Sequence, residues 1–244
     1  MRVLTETAPL ISSAKDRFGN LRPTHLMVVM QEMAGRHAIF LGAGRDDLLK
    51  MGAVWILIRN EIRIYRQPQV NDTIVATTYP GTPRRTLYPR YHRFQLEDGT
   101  VLAEGVGAWT LADVESRRMV NLPQVTALMP DTSDLEKPIG YPGAVEMVEG
   151  RQIGMERALR YSDFDVNQHV NNTRCGDWVC DMLDEQVLKT HAITRFLANY
   201  RREVLPGGPL DLSMQVADDR FSFACHREGE MLLDCSGWLT PREG

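Results

Sequence analysis

The apolar positions of the chain predict two long helices set among short strands. Between Thr24 and Leu41 apolar side chains recur every three or four residues, which predicts a helix with Thr24 as its N-cap. Gly42 and Gly44 are expected to end this helix. A second stripe of the same period runs over residues 175–187. Each stripe is apolar on one face, as in a helix that packs against a sheet.

Runs of alternating or β-branched residues predict strands around these helices. An Asp98-Gly99 pair marks a hairpin, and Pro89 is expected to interrupt the strand before it. The predicted strands of the first half are residues 2–7, 53–58 continuing into 61–65, 73–78, 86–96 and 101–111. Those of the second half are residues 152–161, 192–200, 210–216, 221–226 and 231–240.

Periodicity is lost in the middle of the chain, where prolines alternate with serine, aspartate and glycine. This composition is typical of a linker. We therefore predict an N-terminal domain at residues 1–122, a linker at 123–150 and a C-terminal domain at 151–244.

Both halves repeat one order of elements: a strand, a helix, then about four antiparallel strands. A long helix across a curved antiparallel sheet is the hotdog arrangement, so we predict an α+β double hotdog of two tandem repeats. Matching Phe18 to Phe164 pairs Gly19 with Asp165, Leu21 with Asn167 and Pro23 with His169. Glycine, leucine and proline transfer no protons, so the chemistry is expected in the second half, and the first half is expected to supply an apolar binding wall.

Composition restricts the function classes. The hydrophobic fraction of 43% and the charged fraction of 25% are those of a soluble globular protein. A net charge of −4 disfavours nucleic acid as a partner, and no apolar run approaches the roughly 20 residues of a membrane span. The first residues lack the apolar core of a signal peptide, and the 4 cysteines form no Cys-x-x-Cys pair. We expect free thiols and a cytoplasmic location.

Polar side chains of three kinds alternate just before the second helix. Asp165, Asn167 and His169 stand at positions i, i+2 and i+4, and such positions share one side of an extended chain. We therefore expect a carboxylate, a carboxamide and an imidazole to converge on one cavity at the entrance to the helix.

Four interpretations of this segment compete. It could be a capping loop in which Asn171 or Asn172 begins the helix. A calcium loop would place glycine at Gln168 and glutamate at Arg174, so that interpretation is discarded. A transition-metal site would need further His or Cys ligands at a recognisable spacing, so no metal is expected.

The fourth interpretation is ester or thioester hydrolysis. This reaction needs a base or nucleophile, a proton carrier and donors to the developing oxyanion. Asp165 and His169 can fill the first two roles, and the N–H groups at the start of the second helix can fill the third. The chain has no Gly-x-Ser-x-Gly elbow to supply a serine nucleophile, so the carboxylate route is favoured.

Two motifs resemble a known family. Residues 165–172 (Asp-Val-Asn-Gln-His-Val-Asn-Asn), with Trp178 after them, resemble the signature of acyl-acyl-carrier-protein (acyl-ACP) thioesterases of plants and bacteria. Residues 200–203 (Tyr-Arg-Arg-Glu) resemble a second motif of that family. The resemblance implies a tandem hotdog fold and no cofactor. It also implies a catalytic set of Asp165, Asn167, His169 and Glu203.

We favour one division of labour within this set. Asp165 would activate water or attack the thioester carbonyl itself, and both routes stay open. His169 would carry the proton, Asn167 would orient the substrate, and Glu203 would position water or tune its neighbours. Val204 stands where the plant enzymes usually have cysteine, which excludes a thiol nucleophile there, and Cys175 replaces a common aromatic residue.

The implied function is hydrolysis of fatty acyl-ACP to free fatty acid and holo carrier protein, which ends fatty acid elongation. The expected acyl-chain wall is Met27, Met30, Met33, Trp55 and Ile58. The carrier protein is acidic, and the expected docking residues are Arg84, Arg85, Arg201 and Arg202. An acyl-coenzyme A thioesterase and a non-catalytic lipid-binding hotdog protein remain alternatives, and the chain could be a monomer or a homodimer.

Overall fold

The computed structural model describes residues 1–242 of the chain. The helices are α1 (Pro23–Phe40), α2 (Arg45–Lys50), α3 (Pro123–Thr126), α4 (Arg174–Met182) and α5 (Glu185–Thr190). The strands before the midpoint are β1 (Leu4–Pro9), β2 (Ala53–Ile64), β3 (Thr73–Pro80), β4 (Leu87–Leu96), β5 (Val101–Asp113) and β6 (Met119–Val120). Those after it are β7 (Arg151–Arg157), β8 (His191–Tyr200), β9 (Leu210–Val216), β10 (Arg220–Arg227) and β11 (Glu230–Pro241).

Two compact units divide these elements. The first holds residues 1–12, 28–61 and 65–142. The second holds residues 13–27, 62–64 and the described chain from 143 onward. This division differs from the predicted boundaries, because the first turn of α1 and the loop before it belong to the second unit.

The first unit is built on antiparallel strands in the order β1-β3-β4-β5-β2, with β6 paired to β5. One row across this sheet contains Thr78 of β3, His92 of β4 and Gly105 of β5. Helix α1 lies on the face that carries this row, since a Cβ on Gly105 would come within 2.6 Å of the sulfur and methyl of Met30. The glycine therefore allows the helix to approach the sheet closely.

The second unit has antiparallel strands in the order β8-β11-β10-β9-β7. Trp178 of α4 is fully buried, as are Phe196 of β8 and the β10 residues Phe221 and Phe223. Bulky apolar side chains thus fill this core, as the stripe of the second helix predicted.

Helix α4 touches the first turn of α1 at a glycine. A Cβ on Gly176 would lie 2.6 Å from Oγ1 and 3.0 Å from the backbone nitrogen of Thr24. We expect Gly176→Ala to lower the free energy of unfolding by about 1–3 kcal/mol, because backbone atoms must move apart. Urea unfolding measures the effect.

Gly35→Ala is the matched control, since Gly35 is an exposed residue of α1 and a Cβ added there would have nothing within 4 Å. This change should raise the free energy of unfolding by about 0.5–1 kcal/mol through helix propensity. Equal effects of the two substitutions would show that Gly176 is not a close contact.

The predicted linker is irregular over most of its length but is packed. Ile139 is buried with Tyr79, Tyr91 and Val106, and the Thr132 hydroxyl donates to the Pro80 carbonyl at 2.6 Å. Its proline-rich composition correctly indicated a lack of periodic structure, whereas the packing depends on apolar residues spaced without a period.

Several element boundaries differ from the predictions. Pro23 is the first residue of α1, so Thr24 is not the N-cap; its buried hydroxyl has no partner in the described chain. The prediction that the segment at 53–58 continues into that at 61–65 is confirmed, since both lie in one strand, β2, which ends at Ile64. The second helix is divided into α4 and α5 by Asp184, whose carboxylate accepts from the Gln186 N–H.

Pro89 does not interrupt β4, because on the edge that faces β3 it acts as an acceptor: the Gly81 N–H donates to the Pro89 carbonyl at 2.7 Å. Helices α2 and α3 and strand β6 were not predicted. Each spans six residues or fewer, which is too short to show a period. Among residues 1–242, no helix is both long and apolar enough to span a membrane.

Candidate active site

The segment that carries the predicted catalytic residues is a tight turn. Phe164 and Val170 form an antiparallel backbone pair, and the Asp165 N–H donates to the His169 carbonyl at 2.9 Å. Gln168 closes the turn at a φ of 63°. The prediction that Asp165, Asn167 and His169 alternate along an extended chain is therefore wrong.

The side chain of Asp165 is the physical cause of the turn. Its Oδ1 accepts the Asn167 N–H at 2.8 Å, which is the Asx-turn geometry that bends the backbone. Its Oδ2 lies 3.4 Å from the carboxamide nitrogen of Asn167, and the Asn167 side chain is exposed. The carboxylate and the carboxamide thus form one pair.

His169 forms a second pair with Glu203. Its Nδ1 lies 3.5 Å from Glu203 Oε1, and the two side chains are 22% and 33% exposed. This distance indicates an electrostatic contact at the outer limit of hydrogen bonding. With Nδ1 facing the carboxylate, Nε2 is the nitrogen left to exchange a proton with a reacting group.

A backbone irregularity brings Glu203 to the histidine. The N–H groups of Arg201 and Arg202 both donate to the Leu232 carbonyl at 3.0 Å, as in a β-bulge that turns the chain at the end of β8. The Val170 N–H then donates to the Val204 carbonyl at 2.9 Å. This last bond fixes the segment of Glu203 beside the turn of His169.

A buried carboxylate holds the bulge. Asp234 of β11 accepts from Nε and Nη2 of Arg201 at 2.7 and 3.2 Å. It also accepts from the Asn199 carboxamide at 3.0 Å. Asp234 was not predicted, since a lone aspartate within a predicted strand does not indicate its partner.

Asn171 prepares the start of α4. Its Oδ1 accepts from the N–H and the hydroxyl of Thr173, each at 2.9 Å, and its carbonyl accepts the Arg174 N–H at 2.9 Å. The prediction that Asn171 or Asn172 is the N-cap is wrong, because Thr173 is the N-cap of α4 and Asn171 stabilises the turn before it. The N–H groups of Thr173 and Arg174 both donate to Asn171, so neither is free to donate to an oxyanion as the sequence suggested.

The turn has a counterpart earlier in the chain. Lys15 pairs with Leu21, the Asp16 N–H donates to the Asn20 carbonyl at 2.9 Å, and Gly19 has a φ of 84°. Asp16 Oδ1 accepts the N–H groups of Phe18 and Asn20 at 2.8 and 2.9 Å. The two turns thus share one backbone pattern and one Asx contact.

This pattern corrects the predicted alignment of the halves. The equivalent positions are Asp16 with Asp165, Phe18 with Asn167, Gly19 with Gln168 and Asn20 with His169. The predicted alignment, which matched Phe18 to Phe164, was therefore shifted by three residues from the structural one. The first half therefore does hold the carboxylate, and it lacks the imidazole. The Asp-x-x-Gly-Asn run at 16–20 was the signal that could have revealed this.

The predicted wall residues lie on two elements. Met27, Met30 and Met33 are buried on α1, Met27 in the second unit and the other two in the first. Trp55 of β2 donates to the Ala43 carbonyl at 2.9 Å and packs with Leu48 and Tyr88. Ile58 of β2 is half-buried. Their role towards an acyl chain stays a prediction.

The predicted docking arginines differ in their charge partners. Arg201 is paired with Asp234, and Arg202 Nε lies 2.8 Å from Glu230. Both charges are thereby neutralised by carboxylates of β11. Arg84 and Arg85 are exposed in the loop between β3 and β4. Arg84 and Arg85 therefore form a stronger positive surface than Arg201 and Arg202.

The cysteines are unsuited to nucleophilic chemistry. Burial raises the pKa of Cys180 and of Cys225 to about 12, and it raises the pKa of Cys235 well above its usual value. Cys175 is buried and its thiol donates to the Asn172 carbonyl at 3.2 Å. Within residues 1–242, no group of three or more His, Cys, Asp or Glu side chains could hold a metal ion.

We expect native protein at pH 8 to resist iodoacetamide at Cys180, Cys225 and Cys235. At Cys180 and Cys225 only about one thiol in ten thousand is a thiolate four pH units below the pKa, burial also disfavours the thiolate of Cys235, and the thiolate is the reactive form. Mass spectrometry of native and urea-unfolded samples measures the labelling. Equal labelling rates in the two samples would contradict these burial effects.

Comparison with known proteins identifies relatives along both halves. Residues 3–127 match the family description "Acyl-ACP thioesterase N-terminal domain", and residues 150–231 match "Acyl-ACP thioesterase C-terminal domain". A dodecanoyl-[acyl-carrier-protein] hydrolase of Cinnamomum camphora is 25% identical over 200 residues, covering 75% of this chain and 52% of its own length. An oleoyl-acyl carrier protein thioesterase of Coriandrum sativum is 24% identical over 194 residues, covering 72% and 52%.

Solved structures share the fold. An acyl-ACP thioesterase from Bacteroides thetaiotaomicron has a TM-score of 0.85 at 20% identity, covering 98% of each chain. The 12:0-ACP thioesterase from Umbellularia californica has a TM-score of 0.82 at 20% identity, also covering 98% of each chain. The predicted α+β double hotdog is thereby confirmed. The chain spans about half the length of the curated relatives it matches, and it belongs to the acyl-ACP thioesterase family.

Proposed function

We propose that the protein hydrolyses the thioester of fatty acyl-ACP, releasing free fatty acid and holo carrier protein and so ending fatty acid elongation. The observation that carries the proposal is the His169–Glu203 pair beside the Asp165 turn, in a chain that the family description matches along both halves. An imidazole with one nitrogen against a carboxylate is suited to general acid–base catalysis.

The proposed reaction uses His169 as the proton carrier. Water or the Asp165 carboxylate attacks the thioester carbonyl, the tetrahedral intermediate expels the thiolate, and His169 Nε2 gives that thiolate a proton. In the water route Asp165 or His169 first takes the proton of the attacking water. In the nucleophilic route water then hydrolyses the acyl anhydride on Asp165. Asn167 would orient the substrate, and Glu203 would keep Nδ1 of His169 in place.

An isotope experiment detects the nucleophilic route when the anhydride is hydrolysed at the aspartyl carbonyl. In a single turnover in ¹⁸O water, direct attack by water on the thioester places ¹⁸O in the fatty acid. Attack by Asp165, followed by hydrolysis at the aspartyl carbonyl, leaves the fatty acid unlabelled and places ¹⁸O in Asp165. Mass spectrometry of the acid and of the peptide that contains Asp165 distinguishes these results.

One assay tests the proposed function against its alternatives. The protein is incubated with acyl chains of several lengths on ACP and on coenzyme A, and free thiol and fatty acid are measured. Preferential hydrolysis of the ACP substrates supports the proposal. A higher kcat/KM on coenzyme A would favour the acyl-coenzyme A thioesterase, and binding without release from either carrier would favour a lipid-binding protein.

The chain-length preference would depend on the wall of Met27, Met30, Met33, Trp55 and Ile58. Each buried CH₂ group contributes roughly 0.8 kcal/mol, so the depth available to the acyl chain would decide which lengths are preferred. The three methionines are buried on α1, which suits a wall that adapts to chains of different shape.

The acidic carrier would dock through exposed basic residues. Arg84 and Arg85 are the stronger candidates, because Arg201 and Arg202 are paired with carboxylates. We expect the double change Arg84→Glu and Arg85→Glu to raise KM for acyl-ACP several-fold at low salt and to leave kcat unchanged. Raised salt should weaken the effect. The same double change at Arg201 and Arg202 is the comparison, and a larger effect there would reassign the docking face.

A further inference from the structure

Four polar side chains lie together beneath α1 in the first unit. Arg90 and His92 stand two residues apart on β4 and so face the same side of the sheet. Thr78 lies directly opposite His92 on β3. His37 of α1 completes the group, with its Nδ1 2.9 Å from Nη1 of Arg90. All four side chains are buried, and Arg90 is only 7% exposed.

The hydrogen bonds define the state of His37. A guanidinium has no acceptor, so Arg90 donates and Nδ1 of His37 accepts. The ring proton is therefore assigned to Nε2, which lies 3.4 Å from the Met1 carbonyl. His37 is neutral in this arrangement, and burial and the Arg90 charge hold its pKa at about 4.

The charge of Arg90 has no carboxylate partner within residues 1–242. Its hydrogen bonds go from Nη1 to neutral groups, His37 Nδ1 and, at 3.4 Å, the Thr78 hydroxyl. Burial lowers the pKa of Arg90 only to about 10, so the guanidinium stays charged at neutral pH. Buried charges are ordinarily paired, because leaving water without a counter-ion costs several kcal/mol.

His92 adds a second unsatisfied group. Its Nδ1 is buried and has no hydrogen-bond partner within the described chain. Burial, and after it the Arg90 charge, lowers the pKa of His92 well below its usual value, so the ring is neutral. A neutral imidazole can donate a hydrogen bond to a ligand oxygen. Arg90, whose hydrogen bonds all leave from Nη1, and His92, whose Nδ1 has no partner among the described residues, thus leave hydrogen-bonding capacity unused in one buried, cationic place.

The surroundings indicate the rest of the ligand. Met30, Met33 and His37 share one face of α1, and Met30 packs against Gly105, which pairs with His92 across the sheet. Along the helix, His37 lies about 10 Å beyond Met30. An aliphatic chain that lies along Met30 and Met33 would therefore have its end beside His37 and Arg90.

We propose that Arg90 and His92, with His37 holding the guanidinium in place, form a carboxylate-binding site under α1, for an aliphatic chain that carries a carboxylate group. The fork of two guanidinium N–H groups matches a planar carboxylate, and the buried charge gains the counter-ion that it lacks. The carboxylate has two possible sources, a free fatty acid or the far end of a dicarboxylic acyl chain. The second source rests on the proposed thioesterase function, whereas the first does not.

Binding is tested without turnover. Isothermal titration with octanoate and with octanol compares a charged and an uncharged ligand of one length. We expect octanoate to bind at least about tenfold more tightly than octanol, and Arg90→Met to remove that difference. Arg36→Met is the matched control, since Arg36 is an exposed neighbour of His37 that pairs with Glu6 and should leave the difference intact.

The stability of the variant guards against a folding artefact. Arg90→Met removes an unpaired buried charge but also the donor to His37 Nδ1, so the two effects offset and its Tm without ligand should stay close to that of the wild type. Octanoate should raise the Tm of the wild type and of Arg36→Met only. Equal binding of octanoate and octanol by the wild type would overturn the site, as would octanoate binding that survives in a folded Arg90→Met variant.

Turnover then identifies the source. An octanoyl thioester and its ω-carboxylated analogue are compared on the same carrier. A higher kcat/KM for the analogue that is lost in Arg90→Met assigns the site to dicarboxylic substrates. Competitive inhibition by octanoate that is lost in Arg90→Met assigns it to the free acid, and the absence of both effects would overturn a role in the reaction. If neither thioester is hydrolysed, the proposed function fails while the titrations still test the site.

Discussion

Replacing His169 by alanine is expected to lower kcat for acyl-ACP hydrolysis by about 10²–10⁴-fold, the usual contribution of a general acid–base group. No other imidazole lies in the turn of residues 164–170 to replace it. The fold should survive, since the turn is held by backbone bonds such as Asp165 N–H to the His169 carbonyl. Initial rates at saturating substrate, with Tm recorded on the same samples, measure both effects.

His191→Ala is the matched control. His191 begins β8, at the opposite end of the strand from Glu203, and its Nδ1 contacts the Thr190 hydroxyl. Its removal should leave kcat within about twofold of the wild type. A folded His169→Ala variant with near-normal turnover would remove His169 from the mechanism.

Changing Asp165 to asparagine is expected to abolish hydrolysis while the protein stays folded. Asparagine keeps the oxygen that accepts the Asn167 N–H, so the Asx-turn should persist, but it can neither attack a carbonyl nor take a proton from water. We expect a loss of kcat of at least about a thousandfold and a change in unfolding free energy below about 0.5 kcal/mol. Steady-state rates and urea unfolding provide the two values.

The chain contains its own control for this substitution. Asp16 makes the same Asx contact in the first-half turn, where Asn20 occupies the position of His169. Asp16→Asn should therefore have a similarly small effect on stability and leave turnover unchanged. If Asp165→Asn and Asp16→Asn change kcat and the unfolding free energy by equal amounts, Asp165 only stabilises its turn and its catalytic assignment is wrong.

The sequence predicted the elements wherever a period persisted. The observed bounds of β9 are those predicted, and the body of α1 was found from its apolar stripe. The start of α1 was misplaced because Pro23-Thr24 fits two helix starts: Thr24 can be an N-cap, or Pro23 can be the first helical residue. The structure has the second. The break between α4 and α5 at Asp184 was missed because the apolar stripe continues across it.

The residues of the candidate site were predictable, but their arrangement was not. A local run identified Asp165, Asn167 and His169. Residue spacing did not show that Asp165 contacts Asn167 or that His169 instead contacts Glu203. The 3.5 Å approach of Glu203 to His169 depends on the bond from Val170 to Val204 and on the bulge at the end of β8. Contacts between segments more than thirty residues apart cannot be read from a period.

The charges show the same limit. Arg201 and Arg202 form part of a motif and were expected to face the carrier protein, but Asp234 and Glu230 of β11 pair with them. The pairing depends on the register of β8 against β11, in which Tyr200 lies opposite Leu233. In the first half, the burial of Arg90 with His37 and His92 was not predicted, because a strand sequence does not show which charged side chains a helix covers.

The most direct test of the account is the rate at which wild-type protein releases thiol from an acyl-ACP, measured beside Asp165→Asn and His169→Ala. We expect steady release by the wild type, with fatty acid formed in equal amount, and losses of at least about a hundredfold in both variants. No release by folded wild-type protein across acyl chains of short, medium and long length would contradict it.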